Sequence, residues 1–366
     1  MIKNSFLIFF FSLCVASCAT DAEDQCATDD FDRGAMLTNW AENIIIPAYE
    51  NYLDKLEDLK SDLSAFSDAP NQTNLNQART SWLVAYIAWQ KVAMFQIGKA
   101  EVVRLRDYAN TYPLDAAELE NNIETGSYDL SLSTQLDRQG FPALDYLLNG
   151  LGDTDLEILN VYNDSNYGVY LTAVLNRLER MGKEVLNDWK GSYKTVFIQN
   201  ECSSATASVD KLTNDFIFNF EKHIRVAKIG NPAGYFTNTP IPEAVEAFYK
   251  KDVSKELLVI AIQASRDFFS GKHFNSDTEG VSLKSYLTDL NIEAGGRSLS
   301  TVILEKMDKA IATANGLESN FYDQIIADRS AFVTMRSDLH SVVEVLKTNM
   351  IAALKIKADF NDTDGD

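Results

Sequence analysis

The sequence predicts an all-α protein built as two tandem helical bundles, each of the four-helix up-down type, packed against each other. Three observations carry this. Apolar residues recur at the helical period along most of the chain, and strand alternation is almost absent. Several periodic runs are long, as bundle helices are. The 366 residues exceed what one hydrophobic core ordinarily serves, so two domains are expected. The small polar stretch Ser203-Ser204-Ala205-Thr206 divides an N-terminal bundle over 32–200 from a C-terminal bundle over 201–360.

The first residues read as an address. Lys3 supplies a positive start and Phe6 to Val15 an apolar run too short to span a membrane. Val15-Ala16-Ser17-Cys18 then has the form of a lipobox, so residues 1–17 are expected to be removed and Cys18 to carry lipid. The competing reading is an ordinary signal peptide cut near Ala19. Residues 18–31 form an acidic tether, with Thr20-Asp21-Ala22-Glu23-Asp24 at its start. An outer-membrane lipoprotein, periplasmic or surface-exposed, is the expected location. Of the four cysteines, Cys26 and Cys202 remain for pairing. Both lie in polar sequence, and an oxidising compartment allows either a Cys26–Cys202 disulfide or two free thiols.

The helices follow in order. Met36 to Phe66 is amphipathic, with Trp40, Ile44, Pro47, Tyr49, Leu53, Leu56, Leu59 and Leu63 on its apolar side. Asp68-Ala69-Pro70-Asn71 breaks it. Residues 74–107 read as a second long helix, apolar nearly all round from Trp82 to Trp89, as a central bundle helix would be. Tyr112-Pro113-Leu114-Asp115 opens a short helix, residues 126–138 form a loop, and 166–193 form another long helix ending at Lys190-Gly191.

In the second half, Val209, Leu212, Phe216, Phe220, Ile224 and Ala227 form a stripe with His223 beside it. Lys228-Ile229-Gly230-Asn231-Pro232 ends that helix. Pro240 to Tyr249 reads as the start of another helix with two acids in its opening turns. Helices at 254–270, 281–290, 298–314 and a final long one at 318–358 complete the set, followed by an acidic tail at 361–366.

Composition narrows the function. A formal net charge of −20 disfavours nucleic acid, which rewards clustered Lys and Arg. It suits an exported protein and weakly suits cation binding. The three histidines, His223, His273 and His340, form no His-Glu-x-x-His pair. The sequence has no Gly-x-Ser-x-Gly elbow and no phosphate-cradling glycine loop. The terminal Asp362-x-Asp364-x-Asp366 has a misplaced glycine for a calcium loop.

One stretch stands apart: Gly140-Phe141-Pro142-Ala143-Leu144-Asp145-Tyr146-Leu147-Leu148-Asn149-Gly150. Pro142 fits a first helical turn, Asp145 is read as following inside that turn, and Gly150 closes the helix. Asp145 then complements the helix dipole or serves as a ligand. The stretch resembles the imelysin signature, Gly-x-His-x-x-Glu followed by an aromatic and two leucines. The glycine matches, Pro142 stands at the histidine and Asp145 at the glutamate. Ile46-Pro47-Ala48-Tyr49, Arg79 to Gly98, Gly230 to Gly234, Pro242 to Tyr249 and the terminal Asp362-Thr363-Asp364-Gly365-Asp366 extend the resemblance over most of the chain.

The resemblance implies two packed helical bundles with a functional site between them and a role in iron acquisition. The namesake metallopeptidase activity is in doubt, because Pro142 cannot ligate a metal through its side chain. Oxygen-rich carboxylate sites suit iron and other hard cations, with Asp145 and Glu246 as candidate ligands and Asp115 or Glu243 nearby. Arg79, Trp82, Gly140 and Lys228 complete the candidate binding set, with Arg79 and Lys228 at positions that resemble basic residues of the family. The expected partners are a metal ion or small ligand and other envelope uptake proteins, with membrane contact only through the lipid. The alternatives are a degenerate metallopeptidase and a module that binds a peptide or glycan.

Overall fold

Pro47 shapes the first helix. In the computed structural model, which describes residues 29–358 apart from Ser203 and Ala205, Arg33–Asn39 passes through a π-helical turn, Trp40–Ile45, into Ile46–Asp68. A proline inside a helix offers no N–H and presses on the carbonyl four residues back. That carbonyl is Asn43's, and it accepts the Phe274 amide at 2.8 Å. A gap in local helix bonding thereby becomes a tie to the second half of the chain. Cys18, Cys26, the tether before residue 29 and the tail 361–366 lie outside the described residues. Cys202 is disulfide-bonded.

Asn71 caps the next helix, Gln72–Gln90, by accepting the Asn74 amide at 3.0 Å. The expected continuation to 107 does not form. Gly98 takes φ +58° and Arg104 takes a left-handed φ of 52°, and neither fits a continuous right-handed helix. Two short helices, Lys99–Val102 and Leu105–Ala109, replace it. Asp115 caps Ala116–Thr125, a 3-10 turn covers Ser133–Arg138, and the signature helix is Gly140–Asn149. A capping box at Thr154 starts Asp155–Val161. Ser165–Asp188 runs on through a kink at Gly191 to Gln199, past the expected end at Gly191.

The second set opens with Ser208–Phe218, which widens into a π-helix over Asn219–Gly230. The expected helix over 240–249 is absent. Only a 3-10 turn at Pro242–Ala244 forms, and Ala247 and Lys251 both hold positive φ. Ser254–Ser270, Leu283–Asp289 and Leu299–Asn315 follow, with a two-residue antiparallel pairing of Glu293–Ala294 and Arg297–Ser298 between the last two. The expected final helix is divided. Asp328 is extended and its carboxylate accepts from the Ser330 amide and hydroxyl. Phe321–Ala327 therefore ends there, and Ser330–Glu344 begins a new helix that reaches Ala353.

Ser254–Ser270 joins the two sets. It packs on Gln72–Gln90 of the first and on Leu299–Asn315 of the second. The buried apolar residues form a contiguous cluster from Met36 to Ile356. Phe141 of the signature helix sits within it, stacked on Tyr86 with ring centroids 4.5 Å apart. Such a pair adds roughly 1 kcal/mol beyond area burial. No helix of the described residues is long and apolar enough to cross a membrane.

Candidate functional site at the seam between the helical sets

The signature helix meets the second set through Asp145. This carboxylate lies in the second turn of its helix, not in the first, so it is not a helix-start dipole partner. It is 1% exposed. Oδ2 accepts the Tyr249 amide at 2.9 Å, while Oδ1 accepts the Lys250 amide at 3.0 Å and the Asn149 side-chain amide at 3.1 Å. Two backbone amides of an irregular segment thus find their acceptor on a helix about a hundred residues earlier. Burial raises the Asp145 pKa to about 7, against the pull of the Tyr249 and Lys250 amides.

The same segment supplies Glu246, which is 2% exposed. Its Oε1 accepts from the Tyr86 hydroxyl at 3.1 Å, Gln90 Nε2 at 3.1 Å and Asn110 Nδ2 at 2.8 Å. Its Oε2 accepts from Lys228 Nζ. Lys228 lies within the π-helix and is 4% exposed. Burial lowers its pKa and Glu246 works against that shift. An ion pair this deep survives because further hydrogen bonds satisfy the carboxylate. Both partners belong to the second set, and the extra donors all come from the first.

Two cavities lie beside this region, one reached by Lys228 and the other by Val245 and Ala247 on either side of Glu246, and their charges are sorted. One, of about 180 Å³, is lined by Arg106, Lys222, His223 and Lys228 together with Trp89, Gln90 and Asn110, and by no acid. The other, of about 230 Å³, is lined by Asp145, Glu243, Pro142 and Tyr249, and by no base. Tyr112 borders both. His223 lies edge-on to Phe218, and burial pushes its pKa down to about 3, helped by the positive charges of Arg106 and Lys228.

The residues do not fit a cation centre at Asp145 and Glu246. Each carboxylate already receives at least three donors, so binding an ion would strip those bonds. Among the described residues, no group of three or more His, Cys, Asp or Glu side chains is gathered to hold a metal. Asp115 is spent on its own helix, accepting the Glu118 amide at 3.1 Å. Glu243 is exposed on the rim of the acidic cavity.

Other expected ligands have structural posts. Arg79 donates from Nε to the Leu148 carbonyl at 3.0 Å and pairs with Asp155 at 2.8 Å, closing the end of the signature helix. Trp82 is fully buried and donates to the Phe141 carbonyl at 3.3 Å. Gly140 has φ +75°, and a Cβ there would lie 2.6 Å from the Ala109 carbonyl carbon and closer still to its oxygen. Of the two remaining histidines, His340 Nδ1 lies 3.0 Å from Arg225, in a buried cluster with Glu221 and Lys347. His273 borders a separate cavity. Sequence reasoning missed Tyr86, Gln90 and Asn110. The available signal was Gln90, an amide that ends an otherwise apolar run and needs a buried partner.

The sequence profile of Imelysin matches residues 45–346. The chain belongs to the imelysin family. Iron-regulated protein A of Synechococcus elongatus is 25% identical over 119 residues, covering 31% of this chain. The alignment spans only 32% of that relative's length. Two solved structures share the fold. A protein described as an iron-regulated protein A precursor, from Parabacteroides distasonis, superposes with a TM-score of 0.74 at 18% identity, covering 89% of this chain and 95% of that one. An imelysin-like protein from Psychrobacter arcticum gives 0.68 at 16% identity, covering 90% and 97%. At these identities the likeness speaks for the fold. In the stretch that resembles the family signature, Pro142 lies in the opening turn of the helix and Asp145 is capped by two backbone amides.

Proposed function

We propose that this imelysin-family chain is an envelope lipoprotein, anchored through Cys18 to the outer membrane, that binds an iron-containing small ligand at the seam between its helical sets. Iron acquisition is the role, alongside other envelope uptake proteins. The observation that carries the reading is the charge-sorted pair of cavities, one lined by Lys228 and the other by the neighbours of Glu246. A cavity lined by the cationic side chains of Arg106, Lys222 and Lys228, with a neutral His223 and no acid, suits an anion better than a bare cation. A ferric chelate of a small carboxylate meets both requirements, because the chelator brings negative charge and already fills the metal's coordination sphere. The iron link draws on the name of the Synechococcus relative and on family membership.

The test is a titration of the mature chain with ferric citrate, followed by calorimetry and by tryptophan fluorescence, since Trp89 borders the basic cavity. Ferrous, ferric, zinc and calcium chlorides serve as comparators, with Asp145→Ala beside the wild type. The expected result is saturable binding of ferric citrate that Lys222→Glu weakens by about tenfold, the cost of reversing one charge at the site. No binding of ferric citrate, or binding indifferent to Lys222→Glu, overturns the reading.

A further inference from the structure

A cavity of about 310 Å³ lies on another stretch of the seam, between the first helix, Ser254–Ser270 and the loop 272–277, and shares no lining residue with the two cavities described above. Ala261 of Ser254–Ser270 borders the basic seam cavity, whereas Ile260, Gln263, Ala264 and Asp267 border this one. Its size falls at the lower end of small-molecule sites, about 300 Å³. The floor is apolar, made by Ile44, Ala48, Phe95, Ile260 and Phe268. The loop that covers it is pinned in place. The Phe274 amide donates to the Asn43 carbonyl, the His273 amide to the Thr278 carbonyl at 2.8 Å, and the backbones of Lys272 and Glu279 form an antiparallel β-bridge.

The rim carries both signs of charge on a few residues. Asp267 accepts from Gln263 Nε2 at 2.9 Å, and its carboxyl pKa is raised by burial, with Lys272 and Lys91 among the charges pulling the other way. Lys91 Nζ stands over the Phe274 ring, 5.3 Å from its centroid. Lys272 pairs at 3.2 Å with Asp277, a fully exposed acid. A pair of that kind exchanges at little cost, because an exposed ion pair is worth under about 1 kcal/mol.

We infer that this cavity is a binding site for a free α-amino acid with a bulky apolar side chain. The side chain would occupy the floor, the ammonium would face Asp267, and the carboxylate would face Lys91 and Lys272. Adjacent opposite charges on an apolar body are what this rim complements. A fatty acid or an amine alone would leave one side of the rim unmatched, which costs affinity.

The experiment uses the mature chain and L-phenylalanine, followed by calorimetry and by thermal shift. Phenylpropionate, which lacks the ammonium, and phenethylamine, which lacks the carboxylate, are the paired probes. Saturable binding of L-phenylalanine is expected, weakened about tenfold or more for either truncated probe and for Asp267→Asn, the loss of one charge-assisted contact. Ala264→Leu, which narrows the cavity without touching a charge, should also abolish it, while Lys222→Glu at the seam should leave it intact. Circular dichroism melting checks that each variant is folded. Absence of binding overturns the assignment. So does equal affinity for L-phenylalanine and phenylpropionate, or loss of binding in Lys222→Glu.

Discussion

Lys228 and Glu246 form an ion pair that neither solvent nor either helical set alone could sustain. The lysine sits in a π-helix and the glutamate in an irregular loop, both nearly sealed from water. Tyr86, Gln90 and Asn110, all from the first set, satisfy the glutamate's other oxygen. Assembly of the two sets is thus built into the electrostatics of one pair.

Breaking that pair on one side should be costly, and removing the second partner should then add little, although Tyr86, Gln90 and Asn110 lose their acceptor whenever Glu246 goes. Lys228→Met or Glu246→Leu alone leaves an unmatched buried charge, expected to cost roughly 3–5 kcal/mol. The double variant should cost less than the sum, with a coupling of at least about 1 kcal/mol. Guanidinium unfolding of the four proteins measures this, and additive losses would contradict the account.

Asp145 and His223 should give opposing pH dependence. The folded state holds a proton on Asp145 from pH 3.8 up to about 7, where the unfolded chain has released it. Stability from this group therefore falls as pH rises through that window, by at most about 1.4 kcal/mol per unit. His223 is held neutral down to about pH 3 from an ordinary 6.5, so its contribution falls as pH drops below 6.5. Where the windows overlap the two slopes offset. Asp145→Asn should thus gain stability relative to wild type as pH rises from 4 to 7, and His223→Gln should gain on acidification. Parallel stability curves for all three proteins would sink this reading.

Gly140→Ala should destabilise by roughly 2–4 kcal/mol, combining left-handed backbone strain with a clash against residue 109. Gly126→Ala is the control. It has the same handedness at φ +62° but open space around it, and should cost about 1 kcal/mol. Equal losses at the two positions would mean that the close approach is immaterial.

Arg79→Met separates capping from ligand binding. Losing the bond to Leu148 and the Asp155 pair should lower stability by about 1–2 kcal/mol. Ferric citrate binding should be unchanged. A loss of binding with stability intact would return Arg79 to the ligand site.

The sequence by itself determined the all-α class, the imelysin relationship, most of the long helices and the prominence of the Gly140 stretch. Those features are local: apolar periodicity, caps such as Asn71 and Asp115, and a contiguous motif survive in a linear reading. It also singled out Asp145, Lys228 and Glu246 as residues of interest. Tertiary structure alone decided what they touch. Asp145 takes amides from residues 249–250, and Glu246 takes donors from residues 86, 90 and 110. The same holds for the helix ends that failed at Gln90 and over 240–249. Positive-φ residues, 98 and 104 beyond Gln90 and 247 within the second stretch, bar a continuous helix in each case. These positions depend on packing between segments far apart in sequence, so no window of neighbouring residues contains the information. Carboxylates that looked like metal ligands became hydrogen-bond hubs for a physical reason: once buried, an acid must take whatever donors the fold brings.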